Sequence, residues 1–258
     1  MSEAQAASLR PPALPPAYRL IALESVGSTN DAARVLAAEG AEDGTLVWAR
    51  EQTAGRGRQG RDWTSPPGNL YCSLVLRPDC PTREAVQLAF VAALGVAGMV
   101  GSHVPPLVPL RFKWPNDVLL GKGKIGGILM EAEGNGDRLD WMVLGVGVNL
   151  ASHPDQTRYP ATDIRAETDT KVSAEEALVG FSRHFLAWTN RWLEDGFAPI
   201  REAWLARAAF KGETIDVRLP NETLTGRFAD IDASGALVLE TPQGVRCVTA
   251  GDVHLAGA

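Results

Sequence analysis

The segment Glu51-Gln-Thr-Ala-Gly-Arg-Gly-Arg-Gln-Gly-Arg-Asp-Trp63 argues against two common nucleotide-binding folds. Its glycines match the pattern G-x-G-x-x-G, which is typical of a dinucleotide-binding turn. Such a turn must open a helix, whereas Pro66-Pro67-Gly68 follows here and disfavours one. The segment also lacks the closing Gly-Lys-Ser/Thr of a Walker A loop. We therefore predict a long loop over residues 52–69, between two strands.

Three arginines, Arg56, Arg58 and Arg61, stand on this glycine-rich backbone. Guanidinium groups bind carboxylate and phosphate oxygens in two-point contacts, and glycine lets backbone N–H groups approach an anion closely. Trp63 adds a flat surface on which a nucleobase can stack. Taken alone, the segment favours an exposed basic loop, so an anion-binding role depends on what the rest of the chain supplies.

A second polar segment, Arg111-Phe-Lys-Trp-Pro-Asn-Asp117, ends in a turn signal, and Lys124-Ile-Gly-Gly-Ile128 follows it closely. One interpretation is a tight turn in which Lys113 is a solvated charge. The other places Asp117 near Lys124 at one end of a sheet. The Gly-Gly pair favours the second, because paired glycines weaken a strand unless something must approach its backbone.

A third segment, Leu144-Gly-Val-Gly-Val-Asn-Leu150, alternates glycine with valine. Side chains alternate between the two faces of a strand, so one face of this strand carries none. Either a helix packs closely against that face, or the face forms a slot for a flat ligand with Asn149 at its end. The residues alone leave both explanations open.

Composition limits the class of protein. The chain has 258 residues, of which 45% are hydrophobic and 22% charged, as in a globular enzyme with a sizeable core. Its net charge of −6 disfavours non-specific binding to nucleic acid or to an acidic membrane surface. Three cysteines and four scattered histidines predict neither a disulfide framework nor a metal cluster. We expect a cytoplasmic protein without a signal peptide or a membrane span.

Periodicity and turn signals give the order of elements. Strands are predicted over residues 18–23, 45–50, 70–76, 110–114, 118–120, 124–133 and 139–148. Helices are predicted over residues 28–39, 82–100, 173–194 and 199–208, the third opened by the capping box Ser173-Ala-Glu-Glu176. Near residue 210 the pattern changes to short strands with frequent turns, over residues 214–219, 225–232, 236–240 and 245–249. The last group predicts a small β-barrel of SH3-like size.

Together the motifs resemble those of biotin protein ligases, the biotin–[acetyl-CoA-carboxylase] ligase family. The resemblance covers about residues 25–150 and the C-terminal barrel. It rests on Ser-Thr-Asn, Gln-x-x-Gly-Arg-Gly-Arg-x-Gly-Arg-x-Trp, Lys-Trp-Pro-Asn-Asp, Lys-Ile-Gly-Gly-Ile and Gly-Val-Gly-Val-Asn, in that order. It implies an α/β (α+β) fold: a mixed-sheet catalytic domain followed by an SH3-like domain. We place a disordered lead-in at residues 1–16, the catalytic domain at 17–209 and the SH3-like domain at 210–258.

The resemblance also implies roles for individual residues. The implied catalytic residues are Lys124, Arg58 and Asp117, of which Asp117 acts either as a base or by orienting Lys124. The implied biotin site contains Ser28, Thr29, Asn30, Gln52, Gly55, Arg56, Arg58, Lys124, Gly126 and Gly127. The implied ATP site contains Arg56, Arg58, Arg61, Trp63, Lys124 and Asn149. No metal ligands are implied, and Mg²⁺ is expected to arrive with ATP.

The implied activity is the ATP-dependent attachment of biotin to a lysine of a biotin carboxyl carrier protein. Some family members carry an N-terminal DNA-binding domain, for which the residues before the first predicted strand leave no room. We therefore expect a ligase that binds no nucleic acid and no membrane; a homodimer is one option for its oligomeric state, which the sequence leaves open. Two alternatives remain. One is a lipoate ligase or an octanoyltransferase, and the transferase would need a nucleophilic cysteine. The other is a non-catalytic biotin-binding module.

Overall fold

The computed structural model describes residues 12–155, 157 and 159–256. Eleven residues of the predicted lead-in lie outside the described part of the chain. Within its last five residues, Leu14 is partly buried against the hydrophobic core. The predicted domain boundaries remain predictions, although the large sheet ends at Val148 and the first strand of the small sheet starts at Thr214.

A seven-stranded mixed sheet forms the centre of the larger part. The strand order is β1-β2-β3-β7-β6-β5-β4, with β1 and β2 parallel and the other neighbours antiparallel. This confirms the predicted mixed sheet. The strands are β1 Arg19–Val26, β2 Thr45–Gln52, β3 Leu70–Leu76, β4 Leu110–Lys113, β5 Asp117–Leu120, β6 Gly123–Asn135 and β7 Arg138–Val148.

Helices cover both faces of this sheet. Helix α1 packs on one face through Ala33 and Ala37, against a small cluster that includes Val143 of β7. Helices α3 and α5 pack on the opposite face, and α6 packs against these two helices. Their bounds are α1 Thr29–Ala38, α2 Thr82–Ala85, α3 Leu88–Gly101, α4 Ile164–Thr168, α5 Ala174–Asp195 and α6 Phe197–Leu205.

Helix α3 is apolar on all sides because it lies between the sheet and α5. The segment 82–100 was predicted as a single helix. In the structure it is two helices, α2 and α3, which Val86 and Gln87 separate. By length and hydropathy alone, Thr82–Gly101 could cross a membrane. However, 78% of its most apolar window is buried inside the fold, as expected for a core helix. The predicted capping box of α5 is confirmed, since Ser173 and Glu176 satisfy each other's backbone N–H groups.

The C-terminal part is a second, five-stranded antiparallel sheet with the order β11-β10-β9-β8-β12. Its size and its purely antiparallel pairing agree with an SH3-like domain. The order is that of an open sheet, and the fifth strand was not predicted because it has only four residues. The strands are β8 Thr214–Arg218, β9 Thr223–Ile231, β10 Leu237–Thr241, β11 Gly244–Val248 and β12 Asp252–Leu255.

Buried hydrogen bonds attach the second sheet to the first part. The indole Nε1 of Trp114 donates to the carbonyl oxygen of Gly235 at 3.1 Å, and the Gln87 side chain donates to that of Ala233 at 3.1 Å. Trp114 belongs to the turn before β5, so the small domain supports a segment that was singled out in the sequence. The start of β12 lies near the start of β5, because one guanidinium group, that of Arg58, donates to both Asn116 and Gly251.

Candidate active site

A cavity of about 510 Å³ lies where the large sheet, the loop 51–63 and β12 meet. Its size is ordinary for a site that binds small ligands. Eleven of the residues proposed for catalysis or binding line it: Ser28, Thr29, Asn30, Gln52, Arg56, Arg58, Arg61, Trp63, Asp117, Lys124 and Asn149. Gly127 lines it as well, whereas Gly55 and Gly126 do not. The segments that were separate in the sequence therefore share one cavity.

The segment 51–63, which we call the arginine loop, begins in the last two residues of β2 and folds back on itself. Trp63 N–H donates to Gly55 O at 2.9 Å, and Gly57 N–H donates to Arg61 O at 2.6 Å. A single 3₁₀ turn, Arg58–Gly60, forms its tip. Gly55 is required where the loop ends approach each other, because a Cβ there would lie 2.4 Å from Trp63 O.

Each arginine of the loop contacts a different part of the protein. Arg56 pairs with Asp31 at 2.5 Å and with Glu131 at 3.2 Å. Arg58 donates to Asn116 Oδ1 at 3.1 Å and to Gly251 O at 3.3 Å. Burial lowers the pKa of the Arg58 guanidinium below its usual value, as expected for a cation held partly out of water.

Arg61 pairs with the β12 residue Asp252 at 2.6 Å. Burial on its own would raise the pKa of Asp252, but the hydrogen bond and charge of Arg61 hold that pKa below the usual range. Asp252, Val253 and His254 all line the cavity. The small domain therefore supplies part of the cavity wall, which the sequence did not indicate because β12 follows the arginine loop by almost two hundred residues.

Two lysines flank one carboxylate in the middle of the cavity. Lys124 Nζ lies 2.5 Å from Asp117 Oδ1, as the second interpretation of this segment predicts. Lys113 Nζ lies 3.4 Å from Asp117 Oδ2 and 4.7 Å from the ring centre of Tyr159. The Lys113 side chain is only 14% exposed, so its interpretation as a solvated charge is wrong. The register of the β4–β5 hairpin explains the pairing, because Lys113 lies directly opposite Asp117.

The glycines of β6 and β7 face an indole ring. Gly127 and Gly147 are directly opposite each other, and a Cβ on Gly147 would lie 2.6 Å from Nε1 of Trp63. A Cβ on Gly127 would lie 3.3 Å from Lys124 Nζ. The Trp63 indole fills the bare strand face at Gly147, and a slot for a flat ligand there remains a prediction. Its Nε1 is buried, and the described residues give it no hydrogen-bond partner.

Not every glycine of these strands faces the cavity. Gly126 faces α3, because a Cβ there would meet Val148 and Val96. Gly145 makes room for Asn30, whose Oδ1 would lie 2.0 Å from an added Cβ. Packing of a helix against the bare strand, one of the two explanations offered for the segment 144–150, thus holds at Gly145, and Gly126 shows the same kind of packing against α3. Ligand contacts by Gly55 and Gly126 remain predictions.

The start of α1 forms a buried polar floor. Ser28, Thr29 and Asn30 are 3–4% exposed. The Ser28 side chain caps the helix, and both the backbone N–H and the hydroxyl of Thr29 lie within 3.0 Å of Gln52 Oε1. Gln52 Nε2 in turn donates to Ser65 Oγ at 2.9 Å. These polar groups are fixed in orientation before any ligand binds.

Asn149 lies at the end of the bare strand, as predicted, but it has a structural partner. It is 3% exposed, and its Nδ2 donates to the carbonyl oxygen of Thr162 at 3.0 Å. A direct contact with nucleotide therefore remains a prediction. Among the described residues, no group of three or more His, Cys, Asp or Glu side chains could hold a metal ion.

Comparisons with known proteins agree with this geometry. The profile of the biotin/lipoate A/B protein ligase family matches residues 62–206, and that of the biotin protein ligase C-terminal domain matches residues 211–255. The chain therefore belongs to the biotin/lipoate A/B protein ligase family. Within it, the chain groups with the biotin–[acetyl-CoA-carboxylase] ligases. The enzyme of that name from Paracoccus denitrificans is 43% identical over 91% of this chain and 100% of its own length.

Two further relatives support the assignment. The bifunctional ligase/repressor BirA of Bacillus spizizenii is 34% identical over 92% of this chain and 74% of its own length. The structure of the biotin protein ligase from Aquifex aeolicus in complex with biotin and ATP superimposes with a TM-score of 0.78. That structure is 26% identical and covers 92% of this chain and 97% of its own.

Proposed function

We propose that this chain activates biotin with ATP to biotinyl-5′-AMP and transfers biotin to a lysine of a biotin carboxyl carrier protein. One observation carries the proposal: Lys124 and the arginine loop meet at a single cavity whose floor is a preorganised set of polar groups. The floor at Thr29 and Gln52 suits the ureido end of biotin. The carboxylate end then reaches Lys124, in the middle of the cavity.

The first step forms a bond between a carboxylate oxygen of biotin and the α-phosphorus of ATP, and pyrophosphate leaves. Negative charge builds on the α-phosphoryl oxygens during this step. Lys124, Arg56 and Arg58 supply cationic donors at that point, and one well-placed donor is typically worth about 3–4 kcal/mol, roughly 10²–10³ in rate. The proposed catalytic role of Lys124 thus follows from where its charge lies.

Mg²⁺ is proposed to neutralise charge on the phosphates of ATP. The carboxylates of the cavity fit an ion that is bound chiefly through phosphate oxygens and water, as Mg²⁺ usually is. Asp117 lies between two lysines, and Asp252 pairs with Arg61, so these two carboxylates that line the cavity already have cationic partners. Arg56, Arg58 and Arg61 line the same cavity and are proposed to bind the polyphosphate.

In the second step, the acceptor lysine amine attacks the acyl carbon, an amide bond forms, AMP leaves and the amine loses a proton. Water must be kept away from the mixed anhydride meanwhile, and the arginine loop covers this part of the cavity. Asp117 is held between two ammonium groups, which favours its role in orienting Lys124 over that of a base. Ordering of the loop on ligand binding remains a prediction.

The alternative of octanoyl transfer requires a cysteine nucleophile. Cys72 is fully buried in β3, and burial raises the pKa of its thiol to about 12, so almost no thiolate forms at neutral pH. A non-catalytic biotin-binding module would not need Lys113, Lys124 and three loop arginines at one cavity. Both observations favour the ligase. The three cysteines are free, which suits the proposed cytoplasmic location.

The deciding experiment is mass spectrometry of a purified biotin carrier domain after incubation with this protein, biotin and MgATP. We expect the mass of one attached biotin, and no modification when lipoate replaces biotin. Lys124→Met should slow adenylate formation about 10²–10³-fold. Lys211→Met, which removes an exposed lysine of the small domain, is the matched control. A wild-type protein that modifies no carrier lysine would exclude the proposed activity.

Two further expectations have their own tests. Light scattering tests whether a homodimer forms, and a nucleic-acid binding assay tests the expected absence of binding.

A further inference from the structure

The carboxylate of Glu131 lies where the polar floor meets the arginine loop. Glu131 is on β6, and its side chain is 24% exposed. Its Oε2 accepts a hydrogen bond from Asn30 Nδ2 at 2.9 Å and lies 3.2 Å from the Arg56 guanidinium. Arg34 lies 3.7 Å from its other oxygen. One side chain thus contacts both α1 and the arginine loop.

This contact fixes the orientation of an amide in the floor. A carboxylate can only accept hydrogen bonds, so Asn30 must turn its NH₂ group towards Glu131. Its Oδ1 then faces Ser73 of β3, whose hydroxyl donates to it at 2.7 Å. Ser73 is fully buried and lies directly opposite Gly145, the glycine that makes room for Asn30. Reversal of the Asn30 amide would set its oxygen against the Glu131 carboxylate, so Glu131 fixes the orientation and the Ser73 hydroxyl then satisfies the buried Oδ1.

Further hydrogen bonds extend this network along the floor to Ser65, which follows the arginine loop. The Ser73 hydroxyl lies 2.8 Å from Thr29 Oγ1, and Thr29 lies within hydrogen-bond distance of Gln52. Gln52 contacts Ser65, just after the arginine loop, while Glu131 contacts Arg56, near its beginning. The network thus joins the polar floor to Arg56 within the arginine loop and to Ser65 just after it.

We propose that Glu131 and Ser73 are positioning residues of the biotin site, and that Glu131 also couples this site to the arginine loop. The inference rests on the proposed function, because it assigns the floor to the biotin ring. By fixing the Asn30 amide, the two residues decide whether a ligand atom meets a donor or an acceptor there. By binding Arg56, Glu131 holds the loop near that atom. Neither residue needs to touch a reacting atom.

The two residues separate experimentally, because only Glu131 contacts the loop. Ser73→Ala removes the donor to Asn30 without changing any charge, and Ser182→Ala, in another fully buried serine, is its matched control. Glu131→Gln removes the charge, and Glu133→Gln changes an exposed glutamate two residues further along β6. The readouts are the biotin Kd from calorimetry, kcat and the KM for ATP, and hydrogen exchange of the loop amides in the ligand-free protein.

We expect Ser73→Ala to raise the biotin Kd about 10-fold, with the KM for ATP and loop exchange unchanged. Glu131→Gln should raise the biotin Kd by a similar factor and also speed exchange of the loop amides, whereas both controls behave as wild type. If Ser73→Ala binds biotin like wild type, or if Glu131→Gln leaves loop exchange unchanged, the inference is overturned.

Two further outcomes are distinguishable. A wild-type protein that binds no biotin would overturn the proposed function, and with it the role of Ser73, while loop exchange in Glu131→Gln still tests the coupling to Arg56. If Glu131→Gln loses its cooperative thermal transition, Ser73→Ala decides the positioning role on its own. A uniform fall in kcat with unchanged biotin Kd would indicate a structural role and would contradict the proposal.

Discussion

The ammonium nitrogen of Lys124 lies 2.5 Å from Oδ1 of Asp117, at the end of β5 that faces the arginine loop. Asp117 is the first residue of β5 and Lys124 the second of β6, so the hairpin between them brings the two side chains together. Lys113 approaches the same carboxylate from β4. A carboxylate between two cations is held in place by both, and each cation is oriented by it in turn.

Substitution of Asp117 distinguishes orientation of Lys124 from base catalysis. Asp117→Asn leaves two adjacent ammonium groups without their shared counter-charge, so Lys124 should lose its fixed position. We expect adenylate formation to slow at least about 10-fold. The measurement is ATP–pyrophosphate exchange, followed by transfer from preformed biotinyl-5′-AMP to the carrier. A defect confined to transfer would instead identify Asp117 as the base, and unchanged rates in both steps would remove it from the mechanism.

Loss of Arg58 should release the intermediate. Arg58 ties the tip of the arginine loop to Asn116 and Gly251, and Arg58→Gly removes both hydrogen bonds. We expect biotinyl-5′-AMP to leave the protein at least about 10-fold faster, because charged hydrogen bonds are worth about 1.5–3 kcal/mol each. Free adenylate then labels exposed lysines of a bystander protein, which streptavidin blotting detects. Arg83→Gly, in an exposed arginine outside the cavity, serves as the control. Retention equal to wild type would show that the role assigned to Arg58 is wrong.

The ion pair between Arg61 and Asp252 should make stability depend on pH. The pKa of Asp252 in the folded protein is below the usual value for aspartate. The contribution of this carboxylate to the free energy of unfolding is therefore present above the pKa of the unfolded state, and it is lost as pH falls through the pKa of the folded state. We therefore expect the difference in unfolding free energy between wild type and Asp252→Asn to be constant from pH 5 to 8 and to shrink below about pH 4. The pair is partly exposed, so the difference should stay under about 1 kcal/mol. Urea unfolding at several pH values provides the measurement, and a difference that grows as the solution becomes more acidic would contradict the assignment.

Gly147 should not tolerate a side chain. The Cβ of Gly147→Ala would lie 2.6 Å from the Trp63 indole, which must then move away from the strand. Because Lys124 lies 5.2 Å from the centre of that ring, the displacement also disturbs the middle of the cavity. We expect the Kd for biotin to rise about 10-fold, a change of about 1.4 kcal/mol. Gly101→Ala, at a helix end with open space around it, is the control, and calorimetry compares the two. Equal affinities would show that the slot plays no part in binding.

Local pattern was enough to predict most elements of the fold. The strand over residues 70–76 was predicted to the residue, and the Ser173 capping box placed the start of α5 correctly, because periodicity and capping depend on neighbours in the chain. The helix over residues 82–100 was predicted as one piece because nothing in its composition marks the break at Val86 and Gln87. The strand β12 was missed because its Asp-Val-His-Leu sequence, although it alternates, is only four residues long.

What the sequence by itself determined is the set of chemical groups: three arginines on a glycine-rich loop, a lysine after a turn that ends in aspartate, and strands with one bare face. Only the tertiary structure decided how these groups are paired. It made Lys113 a partner of Asp117, brought Asp252 to Arg61, and placed Glu131 between Asn30 and Arg56. The reason is physical. Periodicity acts over a few residues, whereas ion pairs depend on distances that strand order and domain packing set between residues far apart in the chain.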